Sequence, residues 1–326
     1  MTLVTADEGG RMGYPSVERR RVLAAAALGR EPGVPGPDPD DGRPLRAISG
    51  EILDISPHLI IIETPDGTQE RLVIAPWATA WHGADTAPAD LPVGALVTMR
   101  ALQDGRVVER IWADTTRITG TILSITGRRD LTLELDCGPH RGHRTVLVPY
   151  RASGRIQVRH PVFEPGYLFD AIGIRQDGAG LALLPATSQP PYPARAVPAP
   201  PPAYAGVQQR VSGTATWSDT FDEDEHGLAY PMLERSDAAC PDAETSCTGL
   251  PYLSIGSLVQ VRNVCTGRSA NVPVVACGCV AGRFCDRCVE CDTSPRGRVA
   301  ELSPSSFVEL GGDLVKGCFN AQIGLG

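Results

Sequence analysis

The residues best equipped for chemistry in this chain are its thiols. Nine of the ten cysteines lie between residues 240 and 318: Cys240, Cys247, Cys265, Cys277, Cys279, Cys285, Cys288, Cys291 and Cys318. Five of them crowd into the fifteen-residue run CGCVAGRFCDRCVEC, Cys277 to Cys291. Cysteine at this density forms either a disulfide scaffold or a metal site. The disulfide reading takes Cys240, Cys247, Cys265, Cys277 and Cys318 as bridging candidates and needs no cofactor. The metal reading gives zinc four thiolates, Cys279, Cys285, Cys288 and Cys291. The Cys-x-x-Cys-x-x-Cys spacing also resembles part of a ferredoxin run, but Ser294 and Pro295 stand where a fourth cysteine is expected. Nine is odd, so one thiol stays free, pairs with Cys137 or bonds another chain.

Two further clusters carry ligating groups. CGPHRGH brings Cys137, His140 and His143 close together in a Gly-Pro-rich turn, readable as metal ligands or as a solvated loop. FDEDEHG, residues 221–227, offers four carboxylates without the spacing of a calcium loop, and reads as an ordinary acidic turn. Phosphate-cradling glycine loops, a Ser-His-Asp signal and a dinucleotide fingerprint are all missing from the sequence.

The rest of the composition limits what these groups can serve. The chain has 326 residues and a net charge of −8, which argues against a nucleic-acid partner. The longest apolar runs fall short of the ~18 residues of a membrane-spanning helix. Glycine and proline total 64 residues (35 and 29), favouring turns and short strands. Lys316 is the sole lysine among 30 basic residues, a codon-usage signature of a GC-rich genome.

Disulfides would require an oxidising compartment, so cysteine density favours an extracellular or cell-envelope location. Arg19-Arg20-Arg21 before the apolar run Val22 to Gly29 resembles a twin-arginine export signal. That run is short and Arg30 and Glu31 end it, so a cytoplasmic, zinc-binding interaction protein stands as the rival.

Residues 1–45 end in a Pro-, Gly- and Asp-rich stretch that predicts a disordered leader. Residues 46–187 contain one unit twice. ISGEILDI from Ile48 returns as ITGTILSI from Ile118, APW at 75–77 as VPY at 148–150, and PVGALVTMRALQDG from Pro92 as EPGYLFDAIGIRQDG from Glu164. Alternating apolar runs and Asp-Gly turns at 66–67, 104–105 and 177–178 predict hairpins. The expectation is two small OB-like β-barrels, residues 46–117 and 118–187. A Pro-rich linker, 188–206, is expected to act as an extended spacer. Residues 207–326 form the cysteine-rich domain. There SGTATWS, SLVQVRNV, ANVPVVAC and CFNAQIGL predict strands. SPSSFVELG predicts a short helix capped by Ser303, with Pro304 at its first position and Gly311 beyond its end.

That last domain resembles the double-psi β-barrel of the rare-lipoprotein-A, expansin and barwin superfamily. The resemblance rests on ATW at 215–217, LPYLSIGSLVQVRNVCTG at 250–267, GRVAELSPSSFVELGG at 297–312 and the closing KGCFNAQI. It implies a six-stranded barrel with a groove for cell-wall polysaccharide. Lytic members of the family use an aspartate as acid/base in that groove, whereas other members only bind. By the family pattern Trp217 sits at the groove edge, and Glu301 takes the place of the Asp in Asp-Leu-Ser. Cys247 stands where lytic members have a His, and Cys277 where they have a second Asp. The resemblance therefore implies a Cys247–Cys277 bridge across the old active site.

The fold expected overall is mainly β: two tandem small barrels followed by a six-stranded double-psi barrel. The function expected is that of an envelope or secreted protein that binds a polysaccharide or an envelope protein without catalysis, through Trp217, Asp219 and Glu301. The enzymatic alternative is a lytic transglycosylase-like activity with Glu301 as acid/base. Trp77, Trp81 and Trp112 read as sugar platforms or as barrel core.

Overall fold

A computed structural model describes residues 45–102, 105–139, 141–176, 178–200, 210–222, 225–234, 246–291 and 294–325. The predicted leader therefore lies outside the described residues. The architecture is mainly β, with two five-stranded barrels followed by a six-stranded mixed barrel.

The first barrel is built from β1 (Arg46–Ile55), β2 (Leu59–Glu63), β3 (Gln69–Trp81), β5 (Leu96–Leu102) and β6 (Val107–Ala113), with the two-residue β4 (Asp85–Thr86) appended to β3. Its strands alternate between core and solvent, as in β5, where Val97, Met99 and Ala101 point inward. Ile48, Ile52, Ile60, Ile62, Leu72 and Ile74 fill the rest of the interior.

The second barrel comprises β7 (Thr115–Thr126), β8 (Leu131–Asp136), β9 (His143–Val148), helix α1 (Tyr150–Arg159), β10 (Leu168–Gln176) and β11 (Ala179–Pro185). Its topology repeats the first. In each barrel strand one pairs with strands two and four, strands two and three pair, four pairs with five, and a parallel pairing of strands three and five closes the ring. This is the Greek-key order of an OB-like barrel. The repeated sequence motifs fall on strand one, within or at the end of strand three, and across strand four of each unit, so the duplication in sequence is a duplication in structure. The predicted Asp-Gly turns use left-handed backbone at Gly67, Gly105 and Gly178, with φ of 80°, 88° and 78°.

The third barrel contains β12 (Arg210–Trp217), β13 (Leu228–Tyr230), β14 (Leu258–Asn263), β15 (Ser269–Cys277), β16 (Arg298–Leu302) and β17 (Cys318–Leu325), closed in the order β12-β16-β13-β15-β14-β17. Two parallel pairs, β12–β16 and β13–β15, are set among antiparallel ones. Helix α2 (Cys279–Gly282) follows β15, and α3 (Pro304–Glu309) follows β16. The predicted cap forms: Ser303 Oγ accepts from Ser306 N at 3.2 Å, and Gly311 turns the chain away at φ 84°.

The first two barrels each have a core of their own, and both also contribute to the core of the third. Trp81 and Trp112 from the first, and Ile172, Leu181 and Leu183 from the second, join the apolar core of the third. The described part of the expected spacer is docked rather than free. The Gln189 carboxamide donates to Val162 O and Leu168 O and accepts from Val162 N. Tyr192 Oη accepts from Cys285 N at 3.1 Å and donates to Arg283 O at 3.3 Å. Ala194 is buried with Leu168, Val280 and Phe284. A proline-rich stretch fixes its own backbone cheaply, which suits it to lie as a strap across two domains.

Candidate functional site

Glu301 lies on β16 between two strands, paired in register with Thr216 of β12 and Ala229 of β13. It is fully buried. Its Oε2 accepts from Arg141 Nη2 at 2.8 Å, while Oε1 and the neighbouring Thr216 Oγ1 have no partner among the described residues. Arg141 belongs to the second barrel. It projects from the β8–β9 loop, which local hydrogen bonds hold tight: Cys137 N donates to Gly142 O, Gly142 N to Gly138 O, and Gly138 N to Asp136 Oδ1. Gly138 permits the approach of this loop to α2. It has φ of 102°, and a Cβ there would come 2.9 Å from Val280 Cγ2. Burial pulls the Arg141 pKa down, but the charge and hydrogen bond of Glu301 outweigh it and raise the pKa further.

Asp219, just beyond β12, is covered in the same way. It accepts from Thr116 Oγ1, lies 3.3 Å from Arg144 Nη1 and 3.7 Å from Arg175 Nη2. Arg144 is braced by Thr116 Oγ1 at 2.7 Å and Arg117 O at 3.2 Å. Asp219, Arg144 and Arg175, with Cys137, Arg141 and His143, edge a cleft of about 350 Å³ between the second and third barrels. Cys137 is a free, buried thiol there, and burial pushes its pKa up.

Trp217 does not sit at an open edge. It is 1% exposed and donates from Nε1 to Leu314 O at 3.0 Å. Together with Trp112 and Pro304 it borders a cavity of only about 50 Å³. Trp217 pairs with Leu302, one residue beyond Glu301, and Asp219 follows Trp217 by two residues, so the three predicted residues do share one end of the barrel. The first barrel packs beside Trp217 at that end, and the second reaches Glu301 and Asp219. Trp81 and Trp112 are core, and Trp112 Nε1 donates to Asp313 Oδ1 at 3.2 Å across the first and third barrels. Trp77 is half-buried on β3.

Deeper in the same interface lies a fully buried ionic network. Asp170 of β10 receives Arg117 Nε at 3.0 Å and Nη2 at 2.7 Å, Arg298 Nη2 at 2.5 Å, and the hydroxyls of Thr119 and Thr187. Arg298 of β16 also reaches Asp286 at 2.9 Å and lies 3.6 Å over the Phe284 ring. Burial alone would raise the Asp170 pKa, yet Arg117 and Arg298 hold it far below the usual carboxylate range. Two guanidiniums and two carboxylates balance, which is the condition under which charge survives in a dry interior.

The cysteines form disulfides: Cys247–Cys285, Cys265–Cys291 and Cys288–Cys318. The expected Cys247–Cys277 bridge is therefore incorrect. Cys247 pairs with Cys285 instead, because the segment after α2 folds back beneath the loop before Leu250. Cys277 is disulfide-bonded too. Cys240 lies outside the described residues, as does the side chain of Cys279. The proposed zinc set of Cys279, Cys285, Cys288 and Cys291 is not assembled, since three of its four sulfurs are spent in three different bridges. Among the described residues no three His, Cys, Asp or Glu side chains gather as a metal site. His143 is exposed and His140 is outside the described residues. Asp222 and Glu225 of the acidic turn bond to each other through Asp222 N.

The residues that sequence reasoning missed are arginines. Arg141 stood inside CGPHRGH between the two histidines singled out as ligands, and nothing local marks it as the partner of a carboxylate 160 positions away. No known protein family matches the sequence, and no characterised protein matches it either. Among the described residues no helix is long and apolar enough to cross a membrane.

Proposed function

We propose that this chain is a cell-envelope or secreted binding protein. Its third barrel is read as a double-psi barrel that engages polysaccharide without acid–base catalysis. The observation that carries this reading is the buried Arg141–Glu301 pair. A general acid or base must come within hydrogen-bond reach of the proton it moves. Glu301 is fully buried, and one of its oxygens is taken by a guanidinium from the neighbouring barrel. Asp219 is likewise covered by Thr116, Arg144 and Arg175.

The double-psi assignment is supported by the two parallel strand pairs and by where the motifs fall. ATW ends β12, and Leu-Ser-Pro joins β16 to α3. Location outside the cytoplasm is supported by three disulfides, which need an oxidising environment to persist.

The test is incubation of the oxidised full chain with purified peptidoglycan sacculi. The expected result is retention on the sacculi with no soluble muropeptides released, unchanged by Glu301→Gln. Muropeptide release that Glu301→Gln abolishes would establish the lytic reading instead.

A further inference from the structure

The neighbouring barrel covers Glu301 and narrows the end of the third barrel to the cleft beside Asp219, and a separate candidate ligand surface lies on the barrel wall. The outward face of β12, β17, β14 and β15 is the part of the barrel wall with an unusual distribution of polar groups. Strand register sets these side chains in two rows. Arg210, Gly324, Gln260 and Asn271 lie side by side in one, and Ser212, Gln322, Arg262 and Ser269 in the next. Alternate residues of a strand share a face, so both rows point the same way. Val211, Val259, Val261 and Ile323 take the other face and are buried. Arg210, Gln260, Arg262 and Ser269 are exposed.

Three features separate this face from an ordinary solvated surface. Among the described residues its two rows contain no carboxylate, in a chain with a net charge of −8. Among the described residues, neither guanidinium and neither glutamine side chain has a hydrogen-bond or ion-pair partner. Gly324 removes a side chain between Arg210 and Gln260, where a Cβ would already come 3.3 Å from Gln260 Oε1. The result is a slot of about 230 Å³ floored by glycine and walled by Arg210, Arg262, Gln260, Gln322 and Ser269.

We propose that this slot binds a polysaccharide that carries carboxylates. The proposal rests on the polysaccharide-binding reading above and names its site and ligand class. A guanidinium presents a planar fork of donors that matches a carboxylate in two parallel hydrogen bonds. Glutamine offers both donor and acceptor, and serine a hydroxyl, which suits the hydroxyls of sugar rings. Arg210 and Arg262 are two strands and two residues apart, about 12 Å between Cα atoms from sheet spacings. That separation favours two acidic groups along one chain over a single small anion. The chain's overall negative charge repels polyanions elsewhere, which directs them to the acid-free face.

The experiment measures binding of the oxidised full chain at physiological salt to polygalacturonate, neutral dextran, dextran sulfate and sacculi. The expected result is retention by polygalacturonate and sacculi, little by dextran, and weaker retention by dextran sulfate than by polygalacturonate. Arg210→Gln and Arg262→Gln should each weaken polygalacturonate binding about tenfold, and Gly324→Val should do the same by filling the slot with both charges intact. Circular dichroism and melting of these surface variants should match the parent. Equal binding of dextran sulfate and polygalacturonate, or equal binding of dextran, would reduce the face to a non-selective surface and overturn the proposal. Retention on sacculi that all three variants leave unchanged would overturn the slot while the polysaccharide-binding reading stands. Failure of the parent chain to bind any of the four would overturn both.

Discussion

Arg298 Nη2 and Asp170 Oδ2 lie 2.5 Å apart, and neither side chain is exposed to solvent. One belongs to β16 of the third barrel and the other to β10 of the second, so this ion pair links two barrels. Arg117 and Asp286 complete the charge balance around it. Replacing Asp170 with Asn would leave two buried guanidiniums facing one carboxylate. The expected loss is about 3–5 kcal/mol of unfolding free energy, the usual cost of orphaning a buried charge. Denaturant unfolding of the variant measures it. A loss below about 1 kcal/mol would mean that water enters the interface and the network is not dry.

His160 packs beneath that network. Its Nε2 accepts from Asp170 N at 3.2 Å, and its ring lies 5.3 Å from Phe169. Burial, opposed in part by the charge of Asp170, lowers its pKa to about 4. In the unfolded chain histidine titrates near 6.5. Between these values the unfolded state binds more protons than the folded one, so stability falls as pH drops from about 6.5 to 4. The drop attributable to His160 is up to about 3 kcal/mol, at roughly 1.4 kcal/mol per pH unit. Asp170 adds its own loss only below about 3.9, where the unfolded carboxylate begins to protonate. Urea midpoints at pH 7, 5.5 and 4.5 should therefore decline in the parent chain. They should decline less in His160→Gln, which keeps an acceptor but cannot titrate; parallel declines would assign the slope to other groups.

How much of this was written in the sequence depends on the range of the interaction. The period-two burial of Ile60 and Ile62, or of Val259 and Val261, follows directly from alternation, and the duplicated barrel from the repeat. Ser303, Pro304 and Gly311 marked their helix because capping is local. The disulfide pairing was not legible, because spacing does not say which of nine cysteines meet. Cys247 finds Cys285 rather than Cys277 through the fold of the segment between them. Trp217 looked like a platform by family position and is core, because Leu314 and the first barrel cover it. The covering of Glu301 was invisible for the same reason: the arginine belongs to another barrel and a turn whose chemistry pointed to its cysteine and histidines.

Arg141 and Glu301 should be strongly coupled. Arg141→Met alone leaves a buried carboxylate with neither oxygen partnered, and the expected cost is about 3–5 kcal/mol. Glu301→Leu added to it should restore much of the loss, since apolar groups of similar size often replace a buried pair without penalty. A double-mutant cycle by thermal or urea unfolding reads the coupling directly. Additive losses from the two substitutions would show that the pair does not hold the barrels together.

The disulfides should govern stability, and chelation should not. Cys288–Cys318 joins the segment after α2 to the last strand, closing 30 residues of sequence, and Cys265–Cys291 ties the β14–β15 turn to the same segment. Among the described residues of 283–297 no strand is formed, so the bridges replace the backbone pairing that would otherwise fix this stretch. Replacing Cys288 and Cys318 together with Ala should cost about 2–5 kcal/mol. Reductant should lower the melting temperature of the parent chain by a comparable stability, whereas EDTA should leave it unchanged. Alkylation of the unreduced, unfolded protein should leave at least the six sulfurs of the three bridges unmodified. A melting temperature that falls with EDTA and is insensitive to reductant would instead mean that these thiols hold a metal in solution, and would remove the case for a location outside the cytoplasm.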